Sequence, residues 1–431
     1  MLKELLNKKE GLINSSLKVL FTRVLGIVIF FGLSLFLTNN FTPESVGRYD
    51  FARSILLVVG GICLLGTNQS IIYYSGYFKA NNSIASLRGV YIKMVTIIII
   101  VAAFFLMLKT LIKDDFFNTF FDKPDASEII FKVIVTLFIY SWAMLNVDMI
   151  RAMGKTLLSE FYRNILRYLP FFIVVLILAS KDMKGLLIEA YLISFSVLWL
   201  VTLLYIIINI PKSKTNHGET PTTFKSILFK SYPMAISAIS FFMLQSIDII
   251  LLGRFEVYDK VAYYSVAVKL ATITTLSLIS VNIVIAPKIA ELHTMKDLNN
   301  LQLTLTKSSR IIFGLNLLSV VILILLSNFI LTLFGDEYVE AKNALIILLI
   351  AQLISSLCGS VGVYMNMTGK QLILQRFLLV ALFLNIVLNW LLIPKYSLVG
   401  AAYATSISIM FWNVAGAFYL YRKDSVKTFL N

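Results

Sequence analysis

Apolar residues run through this chain in stretches of membrane-spanning length, and short polar segments separate the stretches. Roughly 20 mainly apolar residues are enough for an α-helix to cross the hydrocarbon core of a bilayer. On that measure the pattern predicts twelve spans. They are residues 17–40, 46–74, 90–112, 129–150, 163–180, 185–210, 230–253, 261–287, 309–334, 341–366, 373–393 and 398–420. We therefore expect an all-α integral membrane protein with twelve transmembrane helices.

The composition agrees with this class. Hydrophobic residues make up 58% of the 431 residues, charged residues make up 14%, and the mean hydropathy is +0.85. A soluble domain with these values would expose a large apolar surface. Both cysteines, Cys63 and Cys358, lie inside apolar runs, so the sequence predicts neither a disulfide framework nor a cysteine metal site. No cofactor is indicated.

The positive charge follows the predicted topology. Most lysines and arginines lie at the two ends of the chain and in the loops after every second span. Cytoplasmic loops carry this excess in membrane proteins, so both termini are expected in the cytoplasm. The net charge of +15 is then an orientation signal, and nucleic acid is not an expected partner.

The chain also repeats itself at an offset of 215 positions, half its length. The matching pairs are Val46 and Val261, Tyr49 and Tyr264, Ala52 and Ala267, Gly154 and Gly369, Lys155 and Lys370, and Gly185 and Gly400. We interpret the two Gly-Lys pairs as tight turns. Three separate places that share one offset predict two six-helix halves, which have the same orientation because six is even.

The repeat predicts three parts: an N-terminal six-helix bundle over residues 1–210, a cytoplasmic linker over 211–229 and a C-terminal six-helix bundle over 230–431. The linker carries the Pro, Lys, Thr and Gly content typical of a connection. In transporters built from repeats, the substrate site commonly lies near the membrane midplane at the repeat interface. We therefore expect the two bundles to surround a central cavity.

Charged residues inside the apolar runs are the candidates for that cavity. Asp248 and Lys269 lie on either side of a short polar turn, and Arg23 and Arg53 lie in spans 1 and 2. A charge within the bilayer is costly and usually faces a partner or a water-filled path. A cavity lined by Arg23, Arg53 and Lys269 would attract an anion such as phosphate. The alternative for Arg23 and Arg53 is that they reach the membrane surface with their long side chains.

Three further residues complete the predicted site. Asp248 is either an ion-coupling residue or one partner of a structural ion pair. Gln245 and Asn282 flank the charged pair and are predicted to contact the substrate, although hydrogen bonding between helices would also explain them.

An enzymatic function is not expected. The two histidines, His217 and His293, lie in predicted loops with no metal-binding partner nearby, and the H-E-x-x-H, G-x-S-x-G and P-loop motifs are absent from the sequence. The predicted loops are too short to hold a catalytic domain. An integral-membrane glycan polymerase remains an alternative class.

Several segments together resemble a known transporter group. In chain order these segments are SIDIILLGRF, VAYYSVAVKLATI, FGDEYVEAKNALIILLIAQL, NMTGKQ and YSLVGAAYATSIS. They are similar to the polysaccharide transporter branch of the multidrug/oligosaccharidyl-lipid/polysaccharide exporter superfamily, and within it to the O-antigen repeat-unit flippases. The resemblance covers nearly the whole chain and is best over 246–408; the first half carries it mainly at 47–53 and 151–156.

This resemblance implies a flippase of lipopolysaccharide biosynthesis in the bacterial inner membrane. It would carry undecaprenyl-diphosphate-linked oligosaccharide from the cytoplasmic to the periplasmic leaflet, with H+ or Na+ as coupling ion and other glycan-assembly membrane proteins as partners. Related lipid flippases keep a cationic cavity, which Arg23, Arg53 and Lys269 match. A multidrug extrusion antiporter of the same superfamily is the alternative; those exporters usually present early carboxylates, whereas span 1 here carries Arg23.

Overall fold

The computed structural model describes residues 2–80, 84–181, 183–210 and 223–429, and the secondary structure in these ranges is helical. The first nine α-helices are α1 (Leu2–Asn40), α2 (Pro43–Leu64), α3 (Thr67–Ala80), α4 (Leu87–Leu111), α5 (Asp114–Phe121), α6 (Ala126–Ala152), α7 (Thr156–Phe161), α8 (Leu169–Ser180) and α9 (Leu187–Asn209). The next eight are α10 (Phe224–Phe255), α11 (Tyr258–Ile273), α12 (Thr275–Thr294), α13 (Leu298–Leu325), α14 (Ser327–Thr332), α15 (Lys342–Leu357), α16 (Val361–Met367) and α17 (Gln371–Asp424). A π-helical turn, Tyr162–Leu166, joins α7 to α8.

The helices account for the predicted spans. In the described ranges, ten helical segments are long and apolar enough to cross a membrane, and the bent pair α2 and α3 makes an eleventh. The last segment, α17, contains two of the predicted spans. It is broken between them at Ser397, whose φ of 52° and ψ of −130° are not helical. The prediction of an all-α, multi-pass membrane protein is confirmed.

Two predicted spans are interrupted where the backbone turns left-handed. Span 46–74 breaks between α2 and α3 at Gly66 (φ 72°), where a side chain would collide with the carbonyl oxygen of Ser231 on α10. Span 341–366 breaks between α15 and α16 at Gly359 (φ 68°). Glycine tolerates this conformation, which explains why a continuous apolar run does not form one helix at either place.

The chain forms two compact units. The first contains residues 1–41 and 55–239, and the second contains residues 42–54 and 240–431. Each unit therefore includes a short piece from the other half of the sequence. The division at a linker over 211–229 stays a prediction, and residues 211–222 of it lie outside the described residues.

In the first unit, α6 is the central helix. It packs against α3, α4 and α9, and most of its side chains are buried. Helix α1 packs against α7 and the following π-helical turn. This contact is close because Gly26 lies where a side chain would be 2.5 Å from the backbone oxygen of Asn164. The glycine therefore fixes the separation between α1 and the fifth span.

In the second unit, α15 is central and packs against α11, α13 and α17. A cluster of buried apolar side chains from α12, α13, α16 and α17 includes Ile289, Leu305, Val361 and Ala381. Between membrane-spanning helices such side chains stabilise the packing through close van der Waals contact, because lipid is as apolar as they are.

The helix boundaries repeat the sequence offset. Three pairs of boundaries lie 215 positions apart: the starts of α2 and α11, the ends of α6 and α16, and the starts of α7 and α17. Gly154 (φ 89°) lies between α6 and α7, and Gly369 (φ 78°) lies at the equivalent place between α16 and α17. The amide of Lys155 donates to the carbonyl of Ile150, five residues back, and an equivalent bond from Lys370 closes the second turn. The interpretation of both Gly-Lys pairs as tight turns is confirmed.

Candidate functional site

Two glycines allow the first half of α2 to pack closely within the second unit. A side chain at Gly47 would lie 1.8 Å from the carbonyl oxygen of Tyr258, at the start of α11. A side chain at Gly253 on α10 would lie 2.7 Å from the ring of Phe51. Because glycine has no side chain, the backbone of α2 can contact that of α11 at Gly47, and the ring of Phe51 can contact the backbone of α10 at Gly253.

This packing buries one carboxylate between two cations. Asp50 on α2 is fully buried, and the ammonium of Lys269 on α11 donates a hydrogen bond of 2.9 Å to its Oδ2. Arg53, one turn further along α2, lies 3.4 Å from Oδ1. The side chain of Lys269 is 5% exposed and that of Arg53 is 18% exposed. The structure thus brings two of the predicted site residues together, on a carboxylate that the sequence reasoning missed.

The Asp50–Arg53–Lys269 trio carries a net positive charge. Arginine has five N–H donors and lysine has three, so the two cations have more donors than one carboxylate can accept. Two cations and one carboxylate sum to a net charge of +1, and such a group of charges attracts an anion. The trio can therefore bind an acidic group.

Asp248 lies in a separate buried cluster of oxygen-bearing side chains. It is 1% exposed, and its Oδ2 accepts hydrogen bonds from the hydroxyls of Tyr264 (2.7 Å) and Thr405 (3.1 Å). Asn385 donates to the same Thr405 hydroxyl at 3.5 Å, and Asn389 donates to the side-chain oxygen of Asn385 at 3.0 Å. Asp248, Tyr264, Asn385, Asn389 and Thr405 are called the Asp248 cluster below.

The structure describes no ion pair at Asp248, and its role in ion coupling stays a prediction. No lysine or arginine pairs with Asp248 in the part of the chain that the structure describes. Carboxylate, hydroxyl and amide oxygens are groups that can share a proton or coordinate a hard cation. Within the described ranges no group of three His, Cys, Asp or Glu residues could hold a metal ion.

Arg23 is held by a carboxylate of the first unit. Its Nε and one terminal nitrogen each donate a 2.8 Å bond to a different oxygen of Glu160, which is 1% exposed. Asn164 donates to the same carboxylate. The close contact of Gly26 with Asn164 lies one helical turn from Arg23 on α1 and one turn from Glu160 on the fifth span, and it brings the two side chains within reach of each other. Arg23 is therefore fixed in position, and its side chain is 31% exposed.

The other two predicted residues lie apart from these contacts. Gln245 is exposed on α10, and the side-chain oxygen of Asn282 on α12 is buried without a hydrogen-bond partner among the described residues. Neither makes a described contact with Asp248 or Lys269. Their role in substrate contact stays a prediction.

Sequence reasoning missed Asp50 and Glu160, the counter-ions of the predicted cations. A helical spacing signal was available for Asp50, because it precedes Arg53 by three positions and the two share a helix face. Glu160 lies at the start of the fifth span, where a charged residue is expected to lie at the membrane surface. Its partner is on another helix, so local spacing gave no signal.

Comparison with known proteins places the chain in a family. The sequence profile described as "Polysaccharide biosynthesis protein" matches residues 9–293, about two thirds of the chain. The chain belongs to the polysaccharide biosynthesis protein family. A second profile, MatE, matches residues 233–391.

Two relatives of this family member have informative names. It is 26% identical over 397 residues to the capsular polysaccharide biosynthesis protein CapF of Staphylococcus aureus, covering 89% of this chain and 92% of CapF. It is 24% identical over 204 residues to the probable low-salt glycan biosynthesis flippase Agl15 of Haloferax volcanii. That match covers 47% of this chain and 43% of the relative.

Solved structures show the same fold. An inward-facing multidrug resistance MATE family transporter of the MOP superfamily aligns with a TM-score of 0.74 at 15% identity, covering 94% of this chain and 98% of that one. The lipid II flippase MurJ, in an inward closed conformation, aligns with a TM-score of 0.73 at 14% identity, covering 95% and 87%. The predicted superfamily is confirmed, and the family and fold are those of transporters, not of catalytic enzymes.

Proposed function

We propose that this polysaccharide biosynthesis protein is a flippase for undecaprenyl-diphosphate-linked oligosaccharide repeat units. It moves them from the cytoplasmic to the periplasmic leaflet of the bacterial inner membrane, with both termini in the cytoplasm. The observation that carries the proposal is the Asp50–Arg53–Lys269 trio, a net positive charge buried among membrane-spanning helices. The names of the relatives, a capsular polysaccharide biosynthesis protein and a glycan flippase, support the same substrate class.

In this mechanism the diphosphate competes with Asp50 for the two cations. Arginine binds phosphate oxygens in pairs and lysine binds them as a point charge, so a diphosphate matches both. Arg23 contributes the donors that Glu160 does not use. Gln245 and Asn282 contact the sugars, while the polyprenyl tail stays in lipid. Alternating access then exposes the site to one face of the membrane and afterwards to the other.

The Asp248 cluster is proposed as the coupling site for H+ or Na+. A buried carboxylate surrounded by neutral oxygens can take up either cation, and its charge then changes with the transport step. Transport measured with and without each gradient tests this, with Asp248→Asn as the variant. Asp115→Asn, which alters an exposed carboxylate on α5, is the matched control. A transport rate that is the same with and without each gradient would contradict the coupling proposal, and it would not contradict the proposed flippase function.

The main test uses the native host. The gene is deleted, and the membrane face on which radiolabelled lipid-linked oligosaccharide accumulates is determined. The intact chain, Lys269→Ala and Lys260→Ala are then returned separately. Lys260 is the matched control because it lies on the same helix as Lys269. Its ammonium pairs with Glu256 at 3.0 Å and not with Asp50.

We expect the lipid-linked oligosaccharide to accumulate on the cytoplasmic face of the deletion strain. The intact chain and Lys260→Ala should relieve this accumulation, and Lys269→Ala should not. Single units that wait on the outer face in the deletion strain would indicate a polymerase and contradict the proposal.

The second candidate is a multidrug exporter. The MatE profile match over 233–391 and the TM-score of 0.74 to a MATE transporter favour it. A positively charged site repels the organic cations that such exporters carry. Normal glycan export with altered drug tolerance in the deletion strain would place this candidate first.

A further inference from the structure

Arg167 lies deep in the fifth predicted span. The helical segment that contains it begins at Thr156, so Arg167 is eleven residues from that end. At 1.5 Å per residue this is about 16 Å, close to half the roughly 30 Å thickness of the hydrocarbon core. The π-helical turn Tyr162–Leu166 directly precedes it, and the amide of Arg167 donates the i to i−5 bond that closes this turn. Such turns are frequent at functional sites.

Aromatic rings frame the guanidinium of Arg167. Its central carbon lies 5.6 Å from the ring centre of Tyr168, 5.8 Å from that of Phe195 and 5.9 Å from that of Tyr140. Each distance falls within the range of a cation–π contact. The rings limit the orientations of the guanidinium plane, so its N–H groups point in defined directions. We call these four residues the Arg167 site.

No carboxylate compensates this charge in the described part of the chain. Nε of Arg167 is buried and has no hydrogen-bond partner among those residues. Arg163, four positions earlier, differs because it forms an ion pair with Asp148. Arg23 likewise has Glu160. Among the described residues, Arg167 therefore has aromatic neighbours but no carboxylate partner, unlike Arg163 and Arg23.

An arginine at mid-membrane depth is costly even on lenient insertion scales, and such a residue marks a functional site unless a partner is present. The aromatic contacts stabilise the cation, but they supply no opposite charge. Tyr191 also interacts with the guanidinium, and it too is a neutral group. A ligand that is present for part of the working cycle would supply the missing negative charge. A planar, oriented guanidinium suits phosphate, whose oxygens accept two parallel N–H bonds.

We propose that the Arg167 site binds the diphosphate of the transported lipid as its counter-ion. This inference rests on the proposed function and adds a binding site in the first unit to the trio of the second. Arg167 binds a phosphate oxygen through its Nε–H, which has no hydrogen-bond partner among the described residues, and the rings of Tyr140, Tyr168 and Phe195 hold the guanidinium in place.

The test measures binding of undecaprenyl diphosphate and of undecaprenol to the purified full chain in phosphatidylcholine nanodiscs. The variants are Arg167→Gln, which removes the charge, and Arg167→Lys, which keeps the charge and loses the planar fork. The matched control is Arg422→Gln, an exposed arginine that lies 5.3 Å from the ring of Phe418 at the end of α17. Nanodiscs that also contain phosphatidylglycerol separate the substrate's diphosphate from an ordinary anionic lipid.

The intact chain should prefer the diphosphate lipid to undecaprenol. Arg167→Gln should weaken binding of the diphosphate lipid about tenfold or more, with undecaprenol binding unchanged. Arg167→Lys should fall between the two, and Arg422→Gln should match the intact chain. Where Arg167→Gln does not fold, Tyr168→Leu keeps the charge and should still weaken binding of the diphosphate lipid.

Three results are decisive. Equal diphosphate binding by the intact chain and by the folded Arg167 variants would overturn the Arg167 site. Loss of the Arg167-dependent difference when phosphatidylglycerol is added would assign the counter-ion to membrane lipid, and would also overturn it. An intact chain that does not prefer undecaprenyl diphosphate to undecaprenol would contradict the proposed flippase function itself, whatever the variants do.

Discussion

Removing the carboxylate of Asp50 is expected to destabilise the protein more than removing the ammonium of Lys269. In Asp50→Asn, Arg53 and Lys269 remain close together and largely buried without the carboxylate that lies between them. Breaking a buried ion pair in this way costs about 3–5 kcal/mol. In Lys269→Met, Asp50 still has Arg53, so no buried charge is left alone.

The two distances set the size of the difference. At an effective dielectric constant of about 20, the Asp50–Lys269 contact of 2.9 Å corresponds to about 6 kcal/mol of Coulomb attraction. The Asp50–Arg53 contact of 3.4 Å corresponds to about 5 kcal/mol. Arg53 therefore compensates Asp50 nearly as well as Lys269 does. The cost of Lys269→Met should be about 1–3 kcal/mol, the value of a charged hydrogen bond.

The assay is reversible unfolding of the purified variants in mixed micelles, with the free energy of unfolding as the readout. The double variant, Asp50→Asn with Lys269→Met, should lie between the two single variants because one cation, Arg53, then lacks the carboxylate, whereas Asp50→Asn alone affects two cations. Lys260→Met, which breaks a partly exposed pair, should cost less than about 1 kcal/mol. Equal costs for the two single variants, or costs that simply add in the double variant, would refute the idea that one carboxylate serves two cations.

Three other changes have clear expected outcomes. Gly47→Ala places a methyl group 1.8 Å from a backbone oxygen and should abolish correct packing of α2, seen as loss of the monodisperse protein; Gly76→Ala, with no atom within 4 Å, should be tolerated. Glu160→Gln removes the carboxylate partner of Arg23, whose side chain is 31% exposed, and should cost about 1–3 kcal/mol in the same unfolding assay. A hydrogen bond from Lys109 is the largest cause that lowers the pKa of Asp114 on α5. The stability that this carboxylate contributes is therefore fully present above the ordinary carboxyl pKa, and it is lost as the pH falls through the lowered pKa. The amide protection factors of α5, which correct for the intrinsic pH dependence of exchange, should therefore fall as the pH drops below about 4, and Asp114→Asn should remove this dependence.

The membrane-spanning pattern could be predicted because it depends only on length and apolarity. The structure places helical segments at every predicted span, including the two that share α17. The boundaries were less predictable. Leu65 and Gly66 interrupt a continuous apolar run, and nothing in hydropathy distinguishes such a break from an unbroken helix.

The site could be predicted only in part. Lys269 and Asp248 stood out because each is a charge in an apolar run, and both are buried. The counter-ion Asp50 depends on the approach of α2 to α11 at Gly47, a contact between residues far apart in sequence. Arg167 escaped notice because its helix begins earlier than predicted, at Thr156, which moves the residue from the membrane edge toward the middle.

The helix boundaries that recur 215 positions apart have a further consequence. The backbone frame is duplicated, yet the charges are not: Asp50 corresponds to Ser265, Lys269 to Ser54, and Arg167 to Leu382. A protein with identical halves would treat either end of a bound molecule alike. Here each half has its own set of charges, so the two halves differ in electrostatics although their backbones correspond. On the proposed flippase function, a lipid with one ionic headgroup would therefore meet two chemically different halves within one repeated backbone.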